Sequence, residues 1–191
     1  MNQILDQQLC DKYPKIFANR HEDMTTTAMC WGFECGDGWF NILDQLCAQI
    51  QHHIDWKTAQ YNRAARYNQA LTKALAGDHA ELIDYFTYGD TPEPNTPSAK
   101  TLENVAFEIK RNQLRVLPQQ VTQVVADQVK EKYGTLRFYY TGGDERISGM
   151  VTLAEAMSAV TCEQCGCPAK TRSGGWVRTL CDTHYQQKEA A

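Results

Sequence analysis

With 191 residues, 42% of them hydrophobic and 10% aromatic, the chain can bury one good core, or one core and a small satellite, which excludes disorder of the whole. Its formal net charge of −4 lacks the broad positive field with which general nucleic-acid binders recruit phosphate. No stretch approaches the roughly eighteen apolar residues of a membrane span, and "MNQILDQQLCDKYPK" has no basic segment followed by an apolar run, so a cytoplasmic protein with no membrane partner is expected.

In chain order, Ile4, Leu5, Leu9 and Tyr13 recur near helical spacing before Pro14, which predicts a short opening helix. Residues 14 to 37 read as a long connection. From Trp39 to Ile54 apolar residues return every three or four positions, an amphipathic helix with Asp37 placed to cap it. After a potential bend the Ala-rich stretch 57–76 continues as helix, Gly77 supplies its C-cap, and "HAELIDYF" forms a short further helix. Three prolines in "GDTPEPNTPSAK" mark 89–100 as a linker or insertion. Leu102, Val105, Ala106 and Ile109 predict another helix, with Pro118 beyond its end. In "VTQVVADQVKEKYGTLRFYYTGG", β-branched residues, a Gly turn and the alternation of Leu136, Phe138 and Tyr140 predict a β-hairpin. A helix through Ile147, Met150, Val151, Ala154 and Met157 then leads to Cys162.

The tail, "CEQCGCPAKTRSGGWVRTLCDTH", holds half of the eight cysteines. Cys162 and Cys165 form C-x2-C, and after fifteen residues Cys181 and His184 form C-x2-H. Two short pairs joined by a return path fit a tetrahedral zinc ion, since each tight turn aims two ligands at one point. The few large apolar side chains there, Trp176, Val177, Leu180 and Tyr185, cannot offset the ordering of the tail at about 1.5 kcal/mol per residue, whereas zinc binding worth about 10–16 kcal/mol can. Free or redox thiols are the alternative, although a thioredoxin-like C-x-x-C opens a helix after a strand. Cys167 reads as a spectator thiol. Knuckle, hairpin around Ser173 to Gly175, then a helix bearing the last ligands resembles the treble-clef class of zinc fingers. Four protein ligands leave no open position for catalysis, and with His184 used as a ligand no histidine of this module remains for a His-Asn-His nuclease.

Other stretches admit two readings. In "MCWGFECGDGWF", Glu34 and Asp37 could act as an acid/base pair, or Cys30 and Cys35 could join His21 in a second metal site. Structurally, Asp37 is a cap, Trp31 and Trp39 are core anchors, and both cysteines are small buried hydrophobes. Neighbouring His52 and His53 point about 100° apart and cannot chelate together. The basic helix 57–76 is either a phosphate-tracking face or a solvated helix that pairs with Asp78, Glu81 and Asp84.

Taken together, "CGDGWFNILDQLC", "QVKEKYGTLRFYYTGG" and "CEQCG…GGWVRTLCDTH" are similar to a group of uncharacterised small proteins of bacteriophages, prophages and bacteria. The likeness covers segments around 30–56 and 123–185 and carries over no activity to numbered residues. It implies, by genomic analogy, an accessory factor that engages a host or defence protein, in the host cytoplasm.

An α+β fold is therefore expected: a helical region 1–88, the Pro-rich 89–100, a helix, hairpin and helix over 101–160, and a treble-clef-like zinc module over 161–191. A non-enzymatic, zinc-stabilised protein with a protein partner is the leading expectation. The alternatives are a nucleic-acid-binding zinc finger and an enzyme using Glu34 and Asp37.

Overall fold

The computed structural model describes residues 1–25, 27–87, 97–173 and 175–189. The chain is α+β and forms two compact units, one of Met1–Asp55 with Val121–Ala191 and one of Trp56–Gln120. Units defined by contact thus cut across the linear segments read from the sequence, and residues 89–96 of the Pro-rich stretch lie outside the described residues. Among the described residues no helix is long and apolar enough to cross a membrane.

In the first unit, helix α1 (Gln3–Lys12) starts at Asn2, whose side chain accepts from the Leu5 N–H at 3.0 Å. Its buried positions are Asp6, Leu9 and Cys10, with Tyr13 just beyond, whereas Ile4 is 73% exposed. The expected apolar stripe is therefore rotated: an aspartate occupies the inner face. It can do so because Arg20 grips it with two bonds, Nε to Oδ1 at 3.0 Å and Nη2 to Oδ2 at 3.1 Å.

The connection over 14–37 is more ordered than expected. It buries Ile16, Phe17 and Met29, makes a 3-10 turn at Ala28–Trp31 and adds a two-residue strand, β1 (Phe33–Glu34). β1 pairs in parallel with β2 (Thr122–Lys132), Phe33 opposite Val129, and β2 pairs antiparallel with β3 (Thr135–Gly143). The turn between them is Tyr133-Gly134, with φ of 55° and 80°, the primed geometry that matches strand twist and favours glycine. Helix α5 (Glu145–Ser158), capped by Asp144 on the Ile147 N–H, lays Ile147, Val151 and Ala154 on the sheet. α2 (Phe40–Leu75) adds Leu43, Leu46, Cys47, Ile50 and Ile54 to the same core from its first half. His53 is buried and bonds Asp144 at 2.8 Å, while its neighbour His52 faces solvent.

α2 runs unbroken to Leu75 and stops where Gly77, at φ 99°, returns its N–H to Ala74. Its second half belongs to the second unit, where Tyr67, Ala70, Leu71 and Ala74 pack with Leu82 of α3 (Ala80–Thr87) and Val105 of α4 (Ala99–Arg111). α4 ends seven positions before Pro118, because Asn112 adopts the left-handed conformation and returns its N–H to Glu108. On the basic stretch, Arg66 pairs with Asp84 at 2.6 Å and Lys73 with Glu81, the acidic pairing anticipated from the sequence.

Two assignments near the first tryptophans are corrected. Trp39 is fully buried, but Trp31 is 64% exposed, because its 3-10 turn presents Met29 to the core instead. Asp37 does not cap the long helix. Gly36 precedes a 3-10 turn at Asp37–Trp39, and the Asp37 carboxylate accepts from the backbone N–H of Asn2 at 2.6 Å and its side-chain amide at 2.8 Å.

Candidate metal centre

α5 delivers the chain to a tight knuckle. The Cys162 N–H donates to the Cys167 carbonyl at 2.7 Å and the Gly166 N–H returns to the Cys162 carbonyl at 2.8 Å. Antiparallel strands β4 (Lys170–Arg172) and β5 (Arg178–Leu180) follow, although Gly174 of the expected turn lies outside the described residues. Cys181 then accepts from the Tyr185 N–H at 3.0 Å and so opens α6 (Asp182–Glu189), which carries His184 in its first turn. Knuckle, hairpin and helix occur in the treble-clef-like order expected.

This path brings one ligand atom from each of Cys162, Cys165, Cys181 and His184 within 4.8 Å of all the others. Among the described residues it is the one group of three or more such side chains placed to hold a metal ion. Sγ of Cys162 lies 3.5 Å from Nδ1 of His184, Sγ of Cys181 lies 3.2 Å from the same nitrogen, and Cys165 and Cys181 sulfurs are 3.8 Å apart. All eight cysteines are free thiols. Burial alone raises the Cys162 thiol, but backbone N–H groups of Cys181, Cys165 and Gln164 and the His184 ring bring it down to about 6. The negative state in which cysteine binds metals is thus favoured at Cys162, whereas Cys165 and Cys181, though drawn down by backbone N–H groups of Cys167 and His184, are raised on balance by burial and by the neighbouring thiols. The Cys167 side chain is exposed and outside the group, while its backbone N–H reaches Cys165 and its carbonyl closes the knuckle.

The outer side of the knuckle sits directly on the "GDGW" loop. The Gly38 N–H donates to the Glu163 carbonyl at 2.8 Å, the Gly36 N–H to Glu163 Oε1 at 3.1 Å, and the indole N–H of Trp39 to the Thr161 carbonyl at 2.8 Å. Neither glycine of this seam has room for a side chain. A Cβ on Gly36 would stand 2.1 Å from the Glu163 carbonyl oxygen, and one on Gly38 would stand 2.2 Å from that of Cys162. The hairpin turn completes the seat, since Thr179 is buried, donates through Oγ1 to the Gly134 carbonyl at 2.6 Å, and accepts the Glu163 N–H at 3.0 Å. Buried Glu163 is neutralised by Arg178, whose Nη2 lies 3.1 Å from Oε2.

The other sequence candidates do not assemble. His21 is exposed, the Cys30 thiol donates to the Thr27 carbonyl at 3.1 Å, and buried Cys35 has its thiol pushed up to about 12 by burial, so the three form no second metal group. Cys30 is also half-buried where full burial was expected. Glu34 lines a groove of about 740 Å³ with Glu131, Glu163, Trp176 and Arg178, where it accepts from Gln128 at 2.9 Å. Asp37 is not in that lining. Its carboxylate is tied to Asn2, whose two N–H bonds hold it below the usual carboxylate range. Glu34 and Asp37 therefore do not form the expected acid/base pair. Sequence reading missed Glu163, Thr179 and Gly134 as seat residues. The available signal was the paired glycines of "GDGW", which mark a place where another backbone comes close.

No protein-family model, curated protein or solved structure matches the chain.

Proposed function

We propose that the protein is a zinc-stabilised, non-enzymatic binding protein. The observation that carries the zinc assignment is the spacing of the four ligand atoms. A tetrahedral ion with bonds of about 2.3 Å to sulfur and about 2.0–2.1 Å to nitrogen requires about 3.8 Å between sulfurs and about 3.5 Å between sulfur and nitrogen. The observed 3.8, 3.5 and 3.2 Å fit that frame. Three thiolates with one imidazole also favour zinc over the oxygen-seeking cations. Cys162, Cys165, Cys181 and His184 would fill all four positions, so the ion's role is to hold structure, with no site left for water or substrate.

A binding role is supported by an apolar groove of about 320 Å³ between α2 and α5, lined by Ile42, Leu46, Met150, Leu153, Ala154 and Met157. Leu153 and Met157 are 62% and 48% exposed, which costs solubility without adding to the core. A protein partner is favoured over nucleic acid because the chain is acidic and Arg66 and Lys73 are already paired. The resemblance to phage and prophage proteins directs the search for that partner to a bacterial host.

Two measurements test the proposal. Native mass spectrometry should find one zinc per chain, and metal-free folded protein would overturn the zinc assignment. Tagged protein recovered from an expressing bacterium should carry a host protein that Leu153→Asp loses. Identical recovery with both baits, or none, counts against the groove.

A further inference from the structure

Resting on the zinc reading above, we infer that metal binding and the docking of the "GDGW" loop are one linked equilibrium. Gly38 and Trp39, which contribute no ligand, then set how tightly the Cys162/Cys165/Cys181/His184 group holds its ion.

The knuckle has two working sides. Its inner side carries the sulfurs of Cys162 and Cys165. Its outer side presents the carbonyls of Thr161, Cys162 and Glu163 to the loop, where they meet the Trp39 indole, Gly38 itself and the Gly38 N–H. Both sides depend on the same few backbone dihedrals. An ion that fixes the two sulfurs therefore fixes the carbonyls, and a docked loop fixes the sulfurs.

The seam leaves no slack for the two to vary separately. At Gly38 three backbone atoms of the knuckle, the Cys162 oxygen and the Gly166 and Cys165 nitrogens, fall within 2.7 Å of where a Cβ would be. Trp39, the other half of the seam, is fully buried in the main core, so an opened knuckle releases a core side chain as well as a loop. Coupling between two binding events is reciprocal, and whatever the ion adds to docking, docking adds to the ion's affinity.

The test is competition for Zn²⁺ with a chromogenic chelator, using the full chain. Gly38→Ala should weaken zinc binding at least tenfold. Gly149→Ala, in α5 with nothing within 4 Å of its would-be Cβ, should stay within twofold of the parent. Equal affinities for the parent and Gly38→Ala overturn the linkage. Should Gly38→Ala not fold, hydrogen exchange on the unmodified protein decides: removal of zinc should speed exchange at the Gly38 amide tenfold or more, and unchanged protection overturns the inference. Protein that takes up no zinc sinks the zinc reading and this inference together, whereas a zinc-bound protein failing either test sinks the linkage alone.

Discussion

The indole nitrogen of Trp39 donates to the Thr161 carbonyl at 2.8 Å, joining residues 122 positions apart. One end of this side chain is core and the other is a hydrogen-bonded clasp on the residue before the first cysteine of the cluster. Trp39→Ala should cost about 3–5 kcal/mol, the range for emptying a buried aromatic site. Trp31→Ala, at an exposed position, should stay within about 0.5 kcal/mol. Denaturant unfolding of both variants checks the contrast, and equal effects would contradict the placement of the two tryptophans.

The thiols of the tail are separable by substitution. Cys165→Ser and Cys181→Ser should each abolish the zinc binding proposed above and open residues 161–189 to proteolysis. Cys167→Ser should keep one zinc per chain and the parent cleavage pattern, because Cys167 lies outside the four-residue group and its carbonyl closes the knuckle whatever its side chain. Zinc loss in Cys167→Ser with retention in Cys165→Ser would reverse the ligand assignment.

Asp6 is buried with Arg20 holding both its oxygens, and it also accepts from the Phe33 N–H at 3.4 Å and the Cys10 thiol at 3.6 Å. Removing the guanidinium leaves a carboxylate stranded beside the core. Arg20→Ala should therefore destabilise by about 3 kcal/mol, and Arg20→Lys should recover only part of this, since an ammonium cannot make the two-pronged contact. Asp6→Asn together with Arg20→Ala should cost less than the sum of the single changes, a comparison read from unfolding midpoints.

Acid should weaken the first unit at its lowered carboxylates, Asp44 and Asp37 together with Asp23, held down by bonds from Thr25, and Asp182, held down by Arg172. Burial raises Asp44, but bonds from Lys12 and Tyr13 outweigh it and leave the group lowered, while Asp37 is lowered by its bonds from Asn2. A folded pKa below the unfolded one gives stability that is present above the unfolded value, about 3.9, and lost as pH falls through the folded value. Urea midpoints should therefore drop below about pH 4, and Asp37→Asn with Asp44→Asn should flatten that drop. A parent and double variant with the same acid profile would exclude these groups as its source.

Much of the architecture was legible because it is written in local periodicity and turn chemistry. The α2 stripe from Leu43 to Ile54, the Tyr133-Gly134 turn and the C-x2-C and C-x2-H pairs need only near neighbours to be read. Asp6 on an inner helix face was not legible, since what makes it tolerable is Arg20, fourteen positions on and outside the helix. Asp37 was misread for a similar reason: a carboxylate before a helix suggests a cap, but its partner is Asn2, at the start of another. Three motifs noticed separately, "GDGW", "KYGT" and the cysteine pairs, turn out to meet through Gly38, Gly134 and Glu163. Spacing within a motif is local information, but contact between motifs is not.

The first unit is discontinuous. α2 carries the chain out of it after Asp55, and β2 brings it back from Val121, yet Gln51 and Gln123 exchange amide bonds at 3.3 and 3.1 Å close to those two points. Exit and re-entry thus lie side by side, and segment 56–120 is a cassette. Length variants within it are therefore expected to leave the cysteine cluster in place, since both ends of the segment are tied at the Gln51–Gln123 pair.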